Sequence, residues 1–75
     1  MAFLIKDNTD GMIFNTDEDH IKLSEAQKEA KFHPSYTCFW MLDDEGLLCL
    51  ENSCGKIEYP DPDRWKFIEL IKDED

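Results

Sequence analysis

The sequence predicts an α+β domain: a small antiparallel sheet of four or five strands, with a short middle helix and a C-terminal helix. Short apolar segments alternate with clusters of turn-forming residues, a pattern typical of β-hairpins. A capping-box motif lies near the middle of the chain, and a Pro-Asp-Pro-Asp motif precedes its apolar C-terminal part. We therefore expect one domain, residues 1–75, with room for only a small core.

The N-terminal segment predicts a β-hairpin followed by a short helix. Apolar strands at residues 3–5 and 12–14 flank the turn-forming residues 7–11. Ser24 and Gln27 have the spacing of a capping box, so we expect the helix to begin at Ser24. Pro34 disfavours the α conformation in the residue before it, which ends the helix near Phe32.

The middle of the chain predicts a three-stranded meander, with strands at residues 36–42, 47–50 and 56–59. Gly46 can adopt the positive φ that a bulged hairpin turn requires. In this register both faces of the central hairpin are apolar. One face carries Trp40, Leu42, Leu48 and Leu50, and the other carries Phe39, Met41, Leu47 and Cys49. We expect the core to cover both faces; the alternative is that a partner, most simply a second copy of this chain, covers one of them.

The C-terminal segment predicts a helix over residues 62–72. Asp61 is a suitable N-cap, and Pro62 suits the first helical position because its missing N–H has no partner there. The apolar side chains cover more than half of the helix circumference, which is wider than one sheet face requires. They are Trp65, Phe67, Ile68, Leu70 and Ile71. This helix is expected to be deeply embedded or to contact another chain.

The charge of the chain indicates which partners it suits. The sequence has 18 acidic and 8 basic side chains, a formal net charge of −10. Nucleic acid and anionic membranes are disfavoured because both are bound through clustered lysine and arginine. A basic protein surface is the favoured partner, including one that normally holds nucleic acid. The alternative is that the acidity only keeps a small protein soluble.

The acidic residues concentrate in predicted turns, where several of them could form one anionic rim. Tyr59 and Trp65 are the candidates for an aromatic anchor beside that rim. The acidic candidates for partner binding are Asp7, Asp10, Asp17, Glu18, Asp19, Asp43, Asp44, Glu45, Asp61 and Asp63.

The three cysteines allow a zinc-stabilised module as a less favoured alternative. Its ligands would be His33, Cys38, Cys49 and Cys54, in two pairs separated by four residues each. Cys38 and Cys49 are expected on opposite faces of the hairpin, which opposes a shared site. Buried, reduced thiols are the favoured interpretation, and they indicate a cytoplasmic protein.

The sequence contains no pattern that favours an enzyme. The serines lie in cap or turn contexts, and the three glycines fall in separate turns, so no phosphate-binding loop is predicted. We expect neither a catalytic residue nor a cofactor.

In size and acidity the chain resembles the small phage-encoded inhibitors of nucleic-acid-handling enzymes, including DNA mimics and anti-CRISPR proteins. This resemblance implies a non-enzymatic binding or inhibitory protein that acts in the host cytoplasm. It is one of composition, so no functional residues are carried over from it. The competing hypothesis is a homodimeric structural or assembly subunit that associates through an apolar sheet face or the C-terminal helix.

Overall fold

The computed structural model describes residues 2–33 and 35–71. These residues form six strands and one helix, in the order β1 (Phe3–Asp7), β2 (Met12–Asn15), α1 (His20–Glu29), β3 (Cys38–Leu42), β4 (Leu48–Asn52), β5 (Ile57–Glu58) and β6 (Trp65–Leu70). The strands of the described chain make two three-stranded antiparallel sheets: sheet A in the order β2-β1-β6 and sheet B in the order β3-β4-β5. The α+β class is confirmed, but the single sheet of four or five strands is not.

The first hairpin is confirmed, with β1 paired to β2 and Asp7 opposite Met12. The turn closes through a hydrogen bond of 2.8 Å from the Gly11 N–H to the Asp7 carbonyl. Along β1, Phe3, Ile5 and Asp7 are buried and alternate with half-buried residues. This period of two places Asp7 on the core face of sheet A.

The helix begins four residues earlier than the capping-box pattern predicts. Asp19 is the N-cap, and its carboxylate accepts a hydrogen bond of 2.9 Å from the Lys22 N–H. Ser24 lies inside the helix, where its hydroxyl donates to the His20 carbonyl instead of capping. The helix ends at Glu29, and Lys31 then adopts a positive φ of 59°.

The predicted C-terminal helix is wrong, because residues 65–70 form strand β6. Asp61 does cap a turn, since its carboxylate accepts from the Asp63 N–H, and its carbonyl accepts from the N–H groups of Arg64 and Trp65. That helical conformation lasts a single turn. Beyond it the chain extends along β1, with Trp65 opposite Asp7.

Strand pairing explains why the helix is not formed. Phe67 lies opposite Ile5, and the register shifts between Leu4 and Ile5, so the longer β6 accommodates one additional residue. This pairing places Trp65, Phe67 and Leu70 on the same face of sheet A as Asp7, Ile5 and Phe3, and of these three residues of β6 Trp65 is buried. Because the pairing joins distant parts of the sequence, local helix signals could not reveal it.

The central hairpin has the predicted register. Trp40 lies opposite Leu50, and Leu42 lies opposite Leu48, so these four side chains share the face that packs on the core. The turn depends on Gly46, which adopts a positive φ of 81° and donates a hydrogen bond of 2.9 Å to the Asp43 carbonyl.

The core lies between the inner faces of the two sheets and is closed by α1. Its centre is aromatic: the ring of Trp40 lies 5.3 Å from that of Trp65 and 6.0 Å from that of Phe14. The buried apolar members of this cluster are Phe3, Ile5, Phe14, Ala26, Phe32, Cys38, Trp40, Leu50 and Trp65.

The outer face of sheet B is not covered by core, contrary to the prediction. Phe39 is 44% exposed and Leu47 is 54% exposed. The predicted C-terminal helix could have covered this face, but its residues form strand β6 of sheet A instead. Within residues 2–33 and 35–71, no helix has the length and apolar character needed to cross a membrane.

Candidate functional site

A buried ion cluster stands at the end of β1, where the carboxylate of Asp7 is fully buried. Arg64 donates to it through Nε and Nη2, each at 3.0 Å, and Lys22 Nζ donates at 2.8 Å. Thr9 adds hydrogen bonds from its backbone N–H and its hydroxyl. The hydrogen bond from Arg64 is the main reason that the pKa of Asp7 lies far below its usual range, and it outweighs the opposing effect of burial.

The two cations of this cluster also bind carboxylates nearer the surface. Arg64 donates to Glu25 at 2.7 Å and to Glu29, while Glu29 also accepts from the indole N–H of Trp65 at 2.9 Å. Lys22 bridges to Asp10, and its pKa is raised by hydrogen bonds to Asp10 and Asp7. The cluster therefore ties α1 and the start of β6 to β1, which indicates a structural role.

Two of the residues that the sequence predicted to bind a partner are buried in this fold. Asp7 is 0% exposed and Trp65 is 3% exposed, so neither side chain is available to a partner. The prediction that they take part in binding is wrong, because the pairing of β6 with β1 turns both side chains into the core. Asp10 is likewise paired with Lys22.

The acidic turns do not form one continuous rim. The Asn8 side chain donates a hydrogen bond of 2.9 Å to the Asp63 carbonyl, so the turn containing Asp10 lies beside that of Asp61 and Asp63. This end of sheet A is where β1 finishes and β6 begins. The other acidic turns border cavities lined by Phe3, Phe39 or Leu70, near the opposite end of the sheet.

The turn between β3 and β4 carries three consecutive acidic residues, of which Asp44 and Glu45 are exposed; we call residues 43–45 the acidic loop. Asp43 shapes it by accepting hydrogen bonds from the N–H groups of Glu45, at 2.9 Å, and Leu47, at 2.8 Å. The bond from Leu47 is the largest cause of the lowered pKa of Asp43. Asp44 and Glu45 are exposed, and their carboxylates make no hydrogen bond or ion pair with the described residues.

Tyr59 lies beside the acidic loop. Its hydroxyl donates to Asp43 at 2.9 Å, which raises the pKa of Tyr59, yet the residue remains 58% exposed. Tyr59 borders a cavity of the outer face of sheet B together with Met41, Cys49 and all three residues of the acidic loop. The apolar outer face of sheet B therefore lies next to the unpaired carboxylates of Asp44 and Glu45.

A second feature, missed by the sequence analysis, is a groove along β3, the outer strand of sheet B. It consists of two adjoining cavities of about 530 Å³ and about 230 Å³, both bordered by Phe39 and Trp40. Since those two side chains point to opposite faces of the sheet, the groove follows the strand edge itself. We call it the β3-edge groove.

The walls of the β3-edge groove are apolar in the middle and acidic at the ends. Phe3 and Leu70 of sheet A face β3 across the larger cavity, which Asp43 and Asp44 border at one end. Asp17 borders the smaller cavity. No lysine or arginine of residues 2–33 and 35–71 lines either cavity. The remaining acidic candidates nearby are Glu18, which is exposed, and Asp19, which caps α1.

The candidate zinc ligands are not brought together. Cys38 pairs opposite Asn52 and Cys49 opposite Met41, so their thiols lie on opposite faces of sheet B, as predicted. Both are buried, which raises the pKa of each thiol, whereas Cys54 is exposed. His33 interacts with Ser35 instead. Among the described residues, no group of three or more metal-ligating side chains forms a candidate site.

Comparisons with known proteins do not place this fold or site in a family. No family model matches the chain, and no curated protein and no solved structure matches it either. What the site does must therefore be argued from its own geometry.

Proposed function

We propose that this protein is a non-enzymatic binding or inhibitory protein that presents carboxylates to a basic partner protein, such as one that handles nucleic acid. The observation that carries this proposal is the acidic loop, where Asp44 and Glu45 are exposed, form no ion pair with the described residues and adjoin Tyr59. Such a surface suits a cationic partner in charge and supplies an aromatic contact.

The buried ion cluster leaves most of the negative charge of the chain unbalanced. It uses Lys22 and Arg64, two of the eight basic side chains of the chain, together with four carboxylates. Six basic side chains then remain against fourteen acidic ones elsewhere in the sequence. The resulting negative potential accelerates the encounter with a basic protein and disfavours nucleic acid.

The test is an affinity capture with three forms of the protein from an extract of the cells in which it acts. The variant Asp44→Asn/Glu45→Gln neutralises the acidic loop, and the matched control Glu69→Lys makes the same net charge change elsewhere. All three side chains are exposed and make no ion pair within the described chain. We expect the wild type and the control to retain a basic protein that the loop variant loses.

Two results would contradict the proposal. Equal retention by all three forms would show that the acidic loop is not the contact. Equal loss from both variants would show that net charge alone drives the association, without a site at the loop.

The apolar outer face of sheet B supports a second candidate function, a homodimeric structural subunit. Phe39, Leu47 and Ile57 are all at least 44% exposed on or beside this face. Dimerisation through such a surface would persist or strengthen as salt is added, whereas binding through carboxylates would weaken. Sedimentation at low and high salt separates the two. The predicted dimer contact through a C-terminal helix is removed, because that segment is β6.

A further inference from the structure

We infer that the partner contributes an extended segment that pairs with β3 as an additional strand of sheet B, with its cationic side chains at the two acidic ends of the β3-edge groove. This inference rests on the proposed function and adds the mode of binding. It names the occupant of the groove as a basic segment of another protein.

The backbone of β3 is suited to such pairing. Sheet B has the order β3-β4-β5, so β3 is bonded to β4 on one side, and no described strand pairs with its other side. An outer strand presents alternate N–H and C=O groups along its edge, which an added strand can bind. Five residues of β3 offer an edge of about 17 Å.

The groove offers space on both sides of that edge. Phe39, which is 44% exposed, and Met41 border it on the outer face, while Trp40 and Leu42 border it on the inner face. An added strand would direct alternate side chains to these two faces. Its inner side chains would reach Leu70, which is itself 45% exposed.

The acidic residues at the two ends of the β3-edge groove indicate which kind of segment would bind there. Asp17 stands at one cavity and Asp44 at the other, so a segment with a cationic residue near each end is complementary. A second copy of this chain is disfavoured: antiparallel pairing of β3 with itself would place the acidic ends of the two copies opposite each other. The net charge of −10 on each copy adds to that repulsion.

The probe is a synthetic peptide of about six residues, with lysine at each end and alternating valine and threonine between them. One control replaces both lysines with glutamate, and a second carries N-methyl groups on the residues between the lysines, which removes the N–H donors and keeps the charges. Binding is measured by an NMR titration of the 75-residue protein and by amide hydrogen exchange along β3.

We expect the lysine peptide to slow the exchange of β3 amides, and N-methylation to weaken binding by at least about tenfold. The glutamate peptide should not bind. Equal binding by the N-methylated peptide would overturn strand addition while leaving carboxylate recognition intact. The absence of any change at β3 with about 5 mM lysine peptide would also overturn it. So would self-association of the free protein that protects the same amides.

These outcomes separate the two proposals. Loss of partner capture by Asp44→Asn/Glu45→Gln tests the acidic loop, whichever backbone contact the partner makes. N-methylation tests the backbone contact without altering any charge.

Discussion

Arg64 binds the carboxylate of Asp7 through two hydrogen bonds of 3.0 Å each, across a sequence separation of 57 residues. This bidentate pair fixes the start of β6 against the end of β1, the point where the sequence otherwise indicates a helix. The guanidinium also lies 4.3 Å from the centre of the Trp65 ring, which joins the pair to the aromatic core.

Asp7→Asn should lower the free energy of unfolding by about 3 kcal/mol, because it leaves two cations facing a neutral group in a buried position. For a domain of this size that is a large fraction of the total stability. Urea denaturation of both forms measures the change. The exposed Asp17→Asn is the matched control and should stay within about 0.5 kcal/mol of wild type. A loss of similar size in both variants would contradict the structural role of the pair.

The contribution of Asp7 should disappear in acid. Its folded-state pKa lies below the ordinary value of 3.8, chiefly because of Arg64. A depressed pKa stabilises the fold above the unfolded-state pKa, and this stability is lost as the pH falls toward the folded-state pKa. The difference in unfolding free energy between wild type and Asp7→Asn should therefore be constant above about pH 5 and shrink below about pH 4. Asp10 and Asp43 also have lowered pKa values, but both residues are present in the wild type and in Asp7→Asn, so their contributions cancel in the difference. A difference that stays constant into strong acid would rule out this linkage.

The three cysteines should differ in reactivity. Cys54 is exposed, whereas Cys38 and Cys49 are buried and have raised thiol pKa values. With an alkylating reagent we expect Cys54 to react first, and the other two at least about a hundredfold more slowly, through local opening. Peptide mapping by mass spectrometry follows each site, and in denaturant all three should react alike. Rapid modification of Cys49 in the native protein would be inconsistent with the packing of β4.

Gly46→Ala should destabilise the protein by about 1 kcal/mol, because an L-residue pays for the positive φ of 81°. A Cβ at this position would meet no atom within 4 Å, so the cost lies in the backbone alone. Gly46→Asn should cost less, since asparagine tolerates this conformation better. Thermal unfolding of the three forms gives the order, and an equal cost for alanine and asparagine would point to a different cause.

The sequence predicted those features that depend on near neighbours. The hairpin around Gly46 and the shared face of Trp40 and Leu50 follow from turn residues and strand alternation, and the structure confirms both. Tyr59 and Asp43 lie side by side, and their predicted role in partner binding stays a prediction. The predicted helix start at Ser24 was wrong, because Asp19 is the N-cap of α1.

What the sequence could not predict depends on distant pairing. Trp65 is buried because β6 pairs with β1. The β3-edge groove forms where Phe3 and Leu70 of sheet A face β3 of sheet B. The burial of Asp7 does have a local signal: Asp7 follows Phe3 and Ile5 with a period of two, which places it on the core face. A buried carboxylate there requires a cationic partner.

The central claim, that the acidic loop binds a basic partner, is tested most directly by the salt dependence of the captured partner's affinity. The Kd is measured at several salt concentrations for the wild type, for Asp44→Asn/Glu45→Gln and for the control Glu69→Lys. We predict that binding by the wild type and the control weakens steeply with salt, and that the loop variant binds at least about tenfold more weakly with a shallower dependence. The same affinity and salt dependence for the loop variant and the wild type would contradict the claim.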